Sequence, residues 1–195
     1  MEGTDGAMAR ISIALLHYPV YDKNNQLVTT AVTNLDIHDI ARAARTFGAH
    51  RYYVVTPVAE QQGLVTRILR HWQDGWGATY NPKRKEALDL VRVAATLGEA
   101  LSDLDQAYGL PVRVVVTGAN GRGTMTTCSE LAPIVRKGEA HYLLVFGTGW
   151  GLADEIFDRA DLVLEPIRGC GSYNHLSVRS AVAIILDRLV GERCQ

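Results

Sequence analysis

Cysteine is scarce in this 195-residue chain: Cys128, Cys170 and Cys194 are scattered, odd in number and never paired as C-x-x-C. Such a set supports neither a disulfide framework nor a zinc site, so no metal is expected and a reducing, cytoplasmic compartment is. Charge of one sign is lacking too, since 20 Lys and Arg face 21 Asp and Glu for a net of −1. That excludes a global electrostatic footprint for nucleic acid; any such contact must come from a local patch or a partner. No apolar run approaches the roughly 20 residues that span a bilayer, so no membrane association is expected. The opening MEGTDGAMA has no basic start leading into an apolar stretch and reads as a disordered leader over residues 1–9, with Met8 a candidate natural start. There is no internal repeat, low-complexity tract or linker. With 47% apolar and 21% charged residues, positions 10–195 read as one globular domain with a real core.

Short β-branched runs recur at Arg10 to Leu16, Arg51 to Thr56, Leu88 to Ala94, Val112 to Gly118, Tyr142 to Gly147 and Asp161 to Glu165, and these are the expected strands. Helical spacing fills Ile37 to Phe47, Ala59 to Trp72, Leu97 to Tyr108, Ser129 to Lys137 and Leu176 to Val190. Thr96 and Glu99 form a capping-box pattern ahead of the third of these helices. Strands alternating with helices, and the unbroken apolar character of VVV and YLLVF, imply an α/β fold with a mostly parallel sheet covered on both faces. The longest irregular stretches are expected at Tyr18 to Thr33 and Gln73 to Lys83, and loops of that length are often functional.

Ligands of open α/β sheets bind outside the carboxyl ends of the strands. Four exits carry turn chemistry there: HYPVYD from His17, TGANGRGT from Thr117, GTGWGLADE from Gly147 and EPIRGCGSYN from Glu165. Gly147-Thr148-Gly149-Trp150-Gly151-Leu152 puts leucine where a dinucleotide fingerprint has its last glycine, and Gly118 to Thr124 breaks the G-K-[ST] ending of a phosphate loop. What remains is glycine turns that let backbone N–H and C=O groups approach a ligand, or that simply make tight bends. S-adenosylmethionine suits the first reading, because its adenine edge takes backbone groups and its sulfonium needs no phosphate cradle.

The C-terminal third resembles the second and third motifs of the SPOUT methyltransferases. An apolar strand ends at Phe146-Gly147, a glycine turn ends at Gly151-Leu152 near Glu155, and Ile167, Gly169, Ser172, Asn174 and Leu176-Ser177-Val178 lead into an apolar helix. The stretch TNLDIHDIARAARTFG from Thr33 to Gly48 resembles the first motif, with Arg42 six residues before a glycine. From Arg10 onward the chain is similar to a bacterial subfamily of S-adenosylmethionine-dependent RNA methyltransferase domains, found alone or joined to the tRNA guanine-N1 methyltransferase TrmD. The resemblance implies a C-terminal trefoil knot, one of the rare exceptions to the rule against knots. It also implies S-adenosylmethionine bound there by Phe146, Gly147, Thr148, Gly149, Gly151, Leu152, Ile167, Gly169, Cys170, Asn174, Leu176 and Ser177. An RNA substrate, tRNA or rRNA, and a homodimer are implied as well; the apolar residues on more than one face of the last helix agree with a subunit interface. Asp36 stands where the ribose-methylating branch has asparagine, with Asn34 close by, so ribose and base targets both stay open.

Methyl transfer needs alignment and an acceptor for the nucleophile's proton. Asp36 or Asp39 could accept that proton and Arg42 could steady negative charge; equally, Asp36 could cap the helix and Arg42 be a solvated side chain. His17, Tyr18, Asn34 and His38 occupy positions where a substrate would approach, though a lone histidine is more often structural. Arg67 to Lys85 mixes cations with aromatics, including Arg70 and Arg84, as RNA-binding surfaces do, and as solvated faces also do. The competing readings are a non-catalytic S-adenosylmethionine- or RNA-binding module working with a partner methyltransferase, and a nucleotide-dependent enzyme of ordinary α/β topology.

Overall fold

The structure, a computed structural model, describes residues 10–191. The expected leader at 1–9, and Cys194, lie outside the described residues. In chain order the elements are β1 (Ile11–Leu16), a hairpin of β2 (Val20–Tyr21) and β3 (Leu27–Val28), α1 (Asn34–Thr46), β4 (Tyr52–Val55), α2 (Ala59–Gln73), α3 (Trp76–Tyr80), α4 (Pro82–Leu88) and β5 (Val91–Ala94). Then come α5 (Leu97–Tyr108), β6 (Val112–Val116), α6 (Cys128–Arg136), β7 (His141–Gly147), α7 (Asp154–Phe157), β8 (Leu162–Val163) and α8 (Val178–Val190).

Six strands form one sheet in the order β5-β4-β1-β7-β6-β8, and every pairing is parallel. Burial on both faces explains the uninterrupted apolar strands: all six residues of β1 are buried. Alternate residues serve different layers. Ile13, Leu15, Tyr52, Leu144 and Phe146 pack with α1, α2, α4, α6 and α8, whereas Ala14, Leu16, Tyr53 and Val145 pack with α5 and α7. Helix α8 lies on α1 and α6. Its buried stripe of Val182, Ile185, Leu186 and Leu189 recurs at helical spacing.

Helix ends follow local chemistry. Thr33, Thr96, Thr127 and Ser177 each cap a helix by accepting the backbone N–H three residues on, and Thr127 with Glu130 completes a capping box. The cap of α1 is therefore Thr33 and not Asp36. Two expected irregular stretches are ordered differently. Tyr18 to Thr33 contains the β2-β3 hairpin, and Gln73 to Lys83 is largely helical. There Asn81 caps α4 and Pro82 starts it, a position where the missing N–H is harmless. The strand expected at Leu88 begins only at Val91, because Leu88 ends α4. No helix among the described residues is long and apolar enough to cross a membrane.

Candidate functional site

The chain enters the sheet at β1, adds β4 and β5 on one side, then crosses to β6 and β7 on the other, so the strand order reverses between β1 and β7. Connections diverge at such a switch point and leave a crevice at the carboxyl edge. A cavity of about 860 Å³ occupies it, within the size range of small-molecule sites. Three strand exits and the start of α8 line it: Thr30, Ala31, Thr33 and Asp36 in the stretch after β1, Thr117 to Asn120 with Arg122 after β6, Phe146 to Leu152 after β7, and Ile167 with Asn174 to Arg179.

Each wall is held by its own bonds. Thr148 Oγ1 donates to the carbonyl of Leu16 and lies 2.5 Å from Thr30 Oγ1, which in turn is 3.1 Å from His17 Nδ1. The glycine turn is stitched to the hairpin, with Trp150 N–H donating to Tyr21 O and Tyr21 N–H donating to Gly151 O. Gly149 takes φ +60°, a left-handed conformation that disfavours side chains. A Cβ on Gly147 would fall 2.7 Å from Leu152 Cγ, so only glycine lets the turn fold this tightly onto the strand end. From the opposite wall Asn174 Nδ2 donates to Ala119 O at 3.1 Å.

Asp36 sits in the third turn position of α1 and is buried. Its Oδ1 accepts from Arg179 Nη1 at 2.8 Å, and its Oδ2 from Thr33 Oγ1 at 2.6 Å. Arg179 also lies 3.5 Å from Asp39. The guanidinium beside Asp36 is thus Arg179, from the first turn of α8, a residue invisible to local sequence reasoning because 143 positions separate the pair. Arg42 points elsewhere: its side chain is 63% exposed, 3.9 Å from Asp39, and neither residue lines the cavity.

Among the other anticipated residues, the cavity gathers Phe146, Gly147, Thr148, Gly149, Gly151, Leu152, Ile167, Asn174, Leu176 and Ser177, while Gly169 and Cys170 stay exposed outside its wall. His17 is a correction. It is fully buried, with Thr30 on its Nδ1, and burial pushes its imidazole down to about 4, partly offset by Asp36, so it is closed off from a substrate. Tyr18 is exposed and Asn34 opens α1. His38 faces away from the cavity onto Trp72, and Arg84 stacks 4.8 Å over that same indole. Arg70 is exposed on α2. Residues that sequence reasoning passed over include Thr30, Glu165 and Arg179 on the walls, and the exposed indole of Trp150 on the glycine turn.

The lining suits S-adenosylmethionine in kind. Phe146, Leu152, Ile167 and Ile185 offer apolar surface for an adenine ring, and the Glu165 carboxylate complements a cationic ligand, while Asp36 is balanced by Arg179. A doubly covered parallel sheet with a glycine-walled cleft at its switch point defines an α/β protein with room for a small ligand at the carboxyl edge. Residues 10–191 match the family described as SAM-dependent RNA methyltransferase, and the chain belongs to that family. It is 47% identical over 179 residues to a tRNA (guanine-N(1)-)-methyltransferase of Oleidesulfovibrio alaskensis, covering 92% of this chain but 41% of that protein. The chain thus spans about two fifths of that relative's length. It is 42% identical over 185 residues to an uncharacterized protein of Aquifex aeolicus, covering 94% of this chain and 90% of that one. In fold it is similar to the SpoU methyltransferase AviRb from Streptomyces viridochromogenes in complex with the cofactor AdoMet, with a TM-score of 0.54, 18% identity, and coverage of 92% of this chain and 58% of that one. The fold is that of the SPOUT class, and the family's cofactor is S-adenosylmethionine.

Proposed function

We propose that the cleft at the switch point holds S-adenosylmethionine and that this protein methylates RNA, with tRNA the first substrate to test. The observation that carries the reading is the convergence of three strand exits on one cavity with a buried, oriented carboxylate in its wall. The turn Gly147 to Leu152, with Ile167 and Asn174 to Ser177, takes the nucleoside, backbone groups serving the adenine edge. The cofactor supplies an electrophilic methyl group on a cationic sulfur. Asp36, with Arg179 and Thr33 fixing its two oxygens, gives the proton of an RNA base nitrogen an oriented acceptor. On α1, outside the cavity wall, Arg42 is left for RNA phosphate and Asp39 for support of Arg179. The chain between β8 and α8 forms the trefoil knot, and the partly exposed Ala183, Ile184 and Val190 of α8 form a homodimer interface. An RNA substrate and three scattered cysteines without a C-x-x-C pair support a cytoplasmic location.

A second reading, a non-catalytic S-adenosylmethionine- and RNA-binding module beside a partner methyltransferase, is favoured by one fact: the chain spans 41% of the named tRNA methyltransferase. Incubation with methyl-labelled S-adenosylmethionine and total RNA from cells lacking the gene separates the two. A single labelled RNA is expected. Tight cofactor binding by calorimetry with no labelled RNA selects the module, and no cofactor binding sinks both.

A further inference from the structure

Helix α3 and its flanks carry a surface that the cleft does not use. Trp76 and Tyr80, one helical turn apart, stack at 4.7 Å with ring planes 21° apart, yet are 70% and 69% exposed. The pair is built deliberately from below. A Cβ on Gly77 would fall 2.7 Å from Trp72 Cε3, so the glycine lets α3 seat directly on that indole, which Arg84 covers from its side. Residues 67 to 85 hold five Lys and Arg against the single carboxylate of Asp74, in a chain whose net charge is −1. Two of the cations are committed locally, Arg84 to Trp72 and Lys85 Nζ to Gln73 O at 2.7 Å. Arg67, Arg70 and Lys83 remain exposed and outside any ion pair among the described residues; the first two flank a shallow depression of about 460 Å³. None of this surface lines the cleft. The 15 residues of α2 separate α3 from the exit of β4 along the chain, and Trp72 beneath α3 meets His38 of α1, two residues from Asp36 in the cleft wall.

Exposed rings with cations beside them match unpaired nucleobases and their phosphates, because every base has a face to stack and every linkage a charge. The core of a protein–protein patch is depleted of charge, whereas these two rings stand in a segment that carries five cations. We infer that Trp76 and Tyr80 are a stacking platform for an unpaired base of the RNA, with Arg67, Arg70 and Lys83 on its phosphates, so that RNA is gripped at a second surface outside the cleft. This rests on the RNA-methyltransferase reading. It makes the substrate a structured RNA that reaches both surfaces.

The test is fluorescence anisotropy of labelled bulk tRNA against wild type, W76A/Y80A, W76F/Y80F and R67Q/R70Q, with cofactor affinity of each measured separately by calorimetry. The alanine pair is expected to weaken RNA binding roughly ten- to hundredfold, the phenylalanine pair to restore most of it, and R67Q/R70Q to reduce the salt slope of log K by about 1.5. Cofactor affinity should stay within twofold throughout. Unchanged RNA affinity in W76A/Y80A overturns the platform while leaving the methyltransferase reading intact. Dissociation of an oligomer by W76A/Y80A, with RNA affinity retained, reassigns the surface to a second copy of the chain and overturns it as well. Failure of wild type to bind any RNA, with cofactor bound, removes the platform together with the RNA half of the broader reading.

Discussion

The two edges of the sheet are made from opposite ends of the same strands and are finished in opposite ways. At the carboxyl edge β1, β6 and β7 run out into turns whose backbone groups surround an open cleft. At the amino edge side chains close on one another. Ser12 Oγ lies 2.8 Å from His141 Nε2, Tyr108 stacks on His141 at 4.7 Å, and His50 meets both rings edge-on. Beside them Arg51 pairs with Asp103, which also accepts from the Tyr53 hydroxyl at 2.5 Å. A parallel sheet directs its helix starts and diverging loops to one edge, so ligand capacity collects there and the other edge is free to be sealed. Changes at the carboxyl edge should therefore act on ligand affinity, and changes at the amino edge on stability.

The largest expected effect is at Gly147. A branched side chain there meets Leu152 and forces the turn away from the cleft. Gly147→Val should lower S-adenosylmethionine affinity at least a hundredfold by calorimetry while unfolding stays cooperative. Affinity within a few fold of wild type would mean that the cofactor does not use this turn.

Next in size is a pH effect from the sealed edge. Burial, with the neighbouring His50, Arg10 and Arg51, pushes His141 down to about 4, against about 6.5 for a free histidine. Between those values the unfolded chain binds a proton that the folded one refuses, so this contribution is complete above about pH 6.5 and fades as pH falls toward 4. The shift corresponds to about 3 kcal/mol. His17, at the other edge, is depressed to about 4 by burial as well. His38 and His50 are lowered by burial too, so urea unfolding at pH 7 and at pH 4.5 should show a loss of several kcal/mol in wild type, of which His141→Gln should remove one part. An unaltered slope in that variant would show that the amino edge is not sealed by a neutral imidazole.

The contrast between the edges also explains what was legible in the sequence. Strands at the centre of the sheet announced themselves, because burial on both faces demands apolar runs such as Leu143 to Phe146. The region from Gln73 to Lys83 did not, because Gly75, Gly77 and Asn81-Pro82 look like breakers when they in fact seat α3 on Trp72 and cap α4. At the cleft the glycine turn could be seen, since its chemistry is local. Arg179 could not, because its partner Asp36 is 143 residues away, and His17 was misplaced because a strand exit does not tell that the returning chain at Thr30 buries it. The amino-edge network joins Ser12 to His141 across 129 residues and left no local trace at all.

The smallest expected effect tests whether the edges are independent. Burial pushes the Tyr53 hydroxyl well above its usual range, so it remains a donor to Asp103 at any working pH. Tyr53→Phe deletes that bond but leaves Arg51 on the carboxylate, and Asp103 is 47% exposed, so water can replace the lost donor. A net hydrogen bond of this kind contributes about 1 kcal/mol, and partial exposure draws the figure lower. Urea unfolding at pH 7 should report a loss at or below that value, with cofactor affinity unchanged. Strand β4 pairs directly with β1, whose exit leads into the cleft wall at Thr30. A measurable drop in affinity from Tyr53→Phe would therefore mean that strain at the amino edge passes along β4 and β1 to the ligand, and that the sealed edge helps to set the shape of the open one.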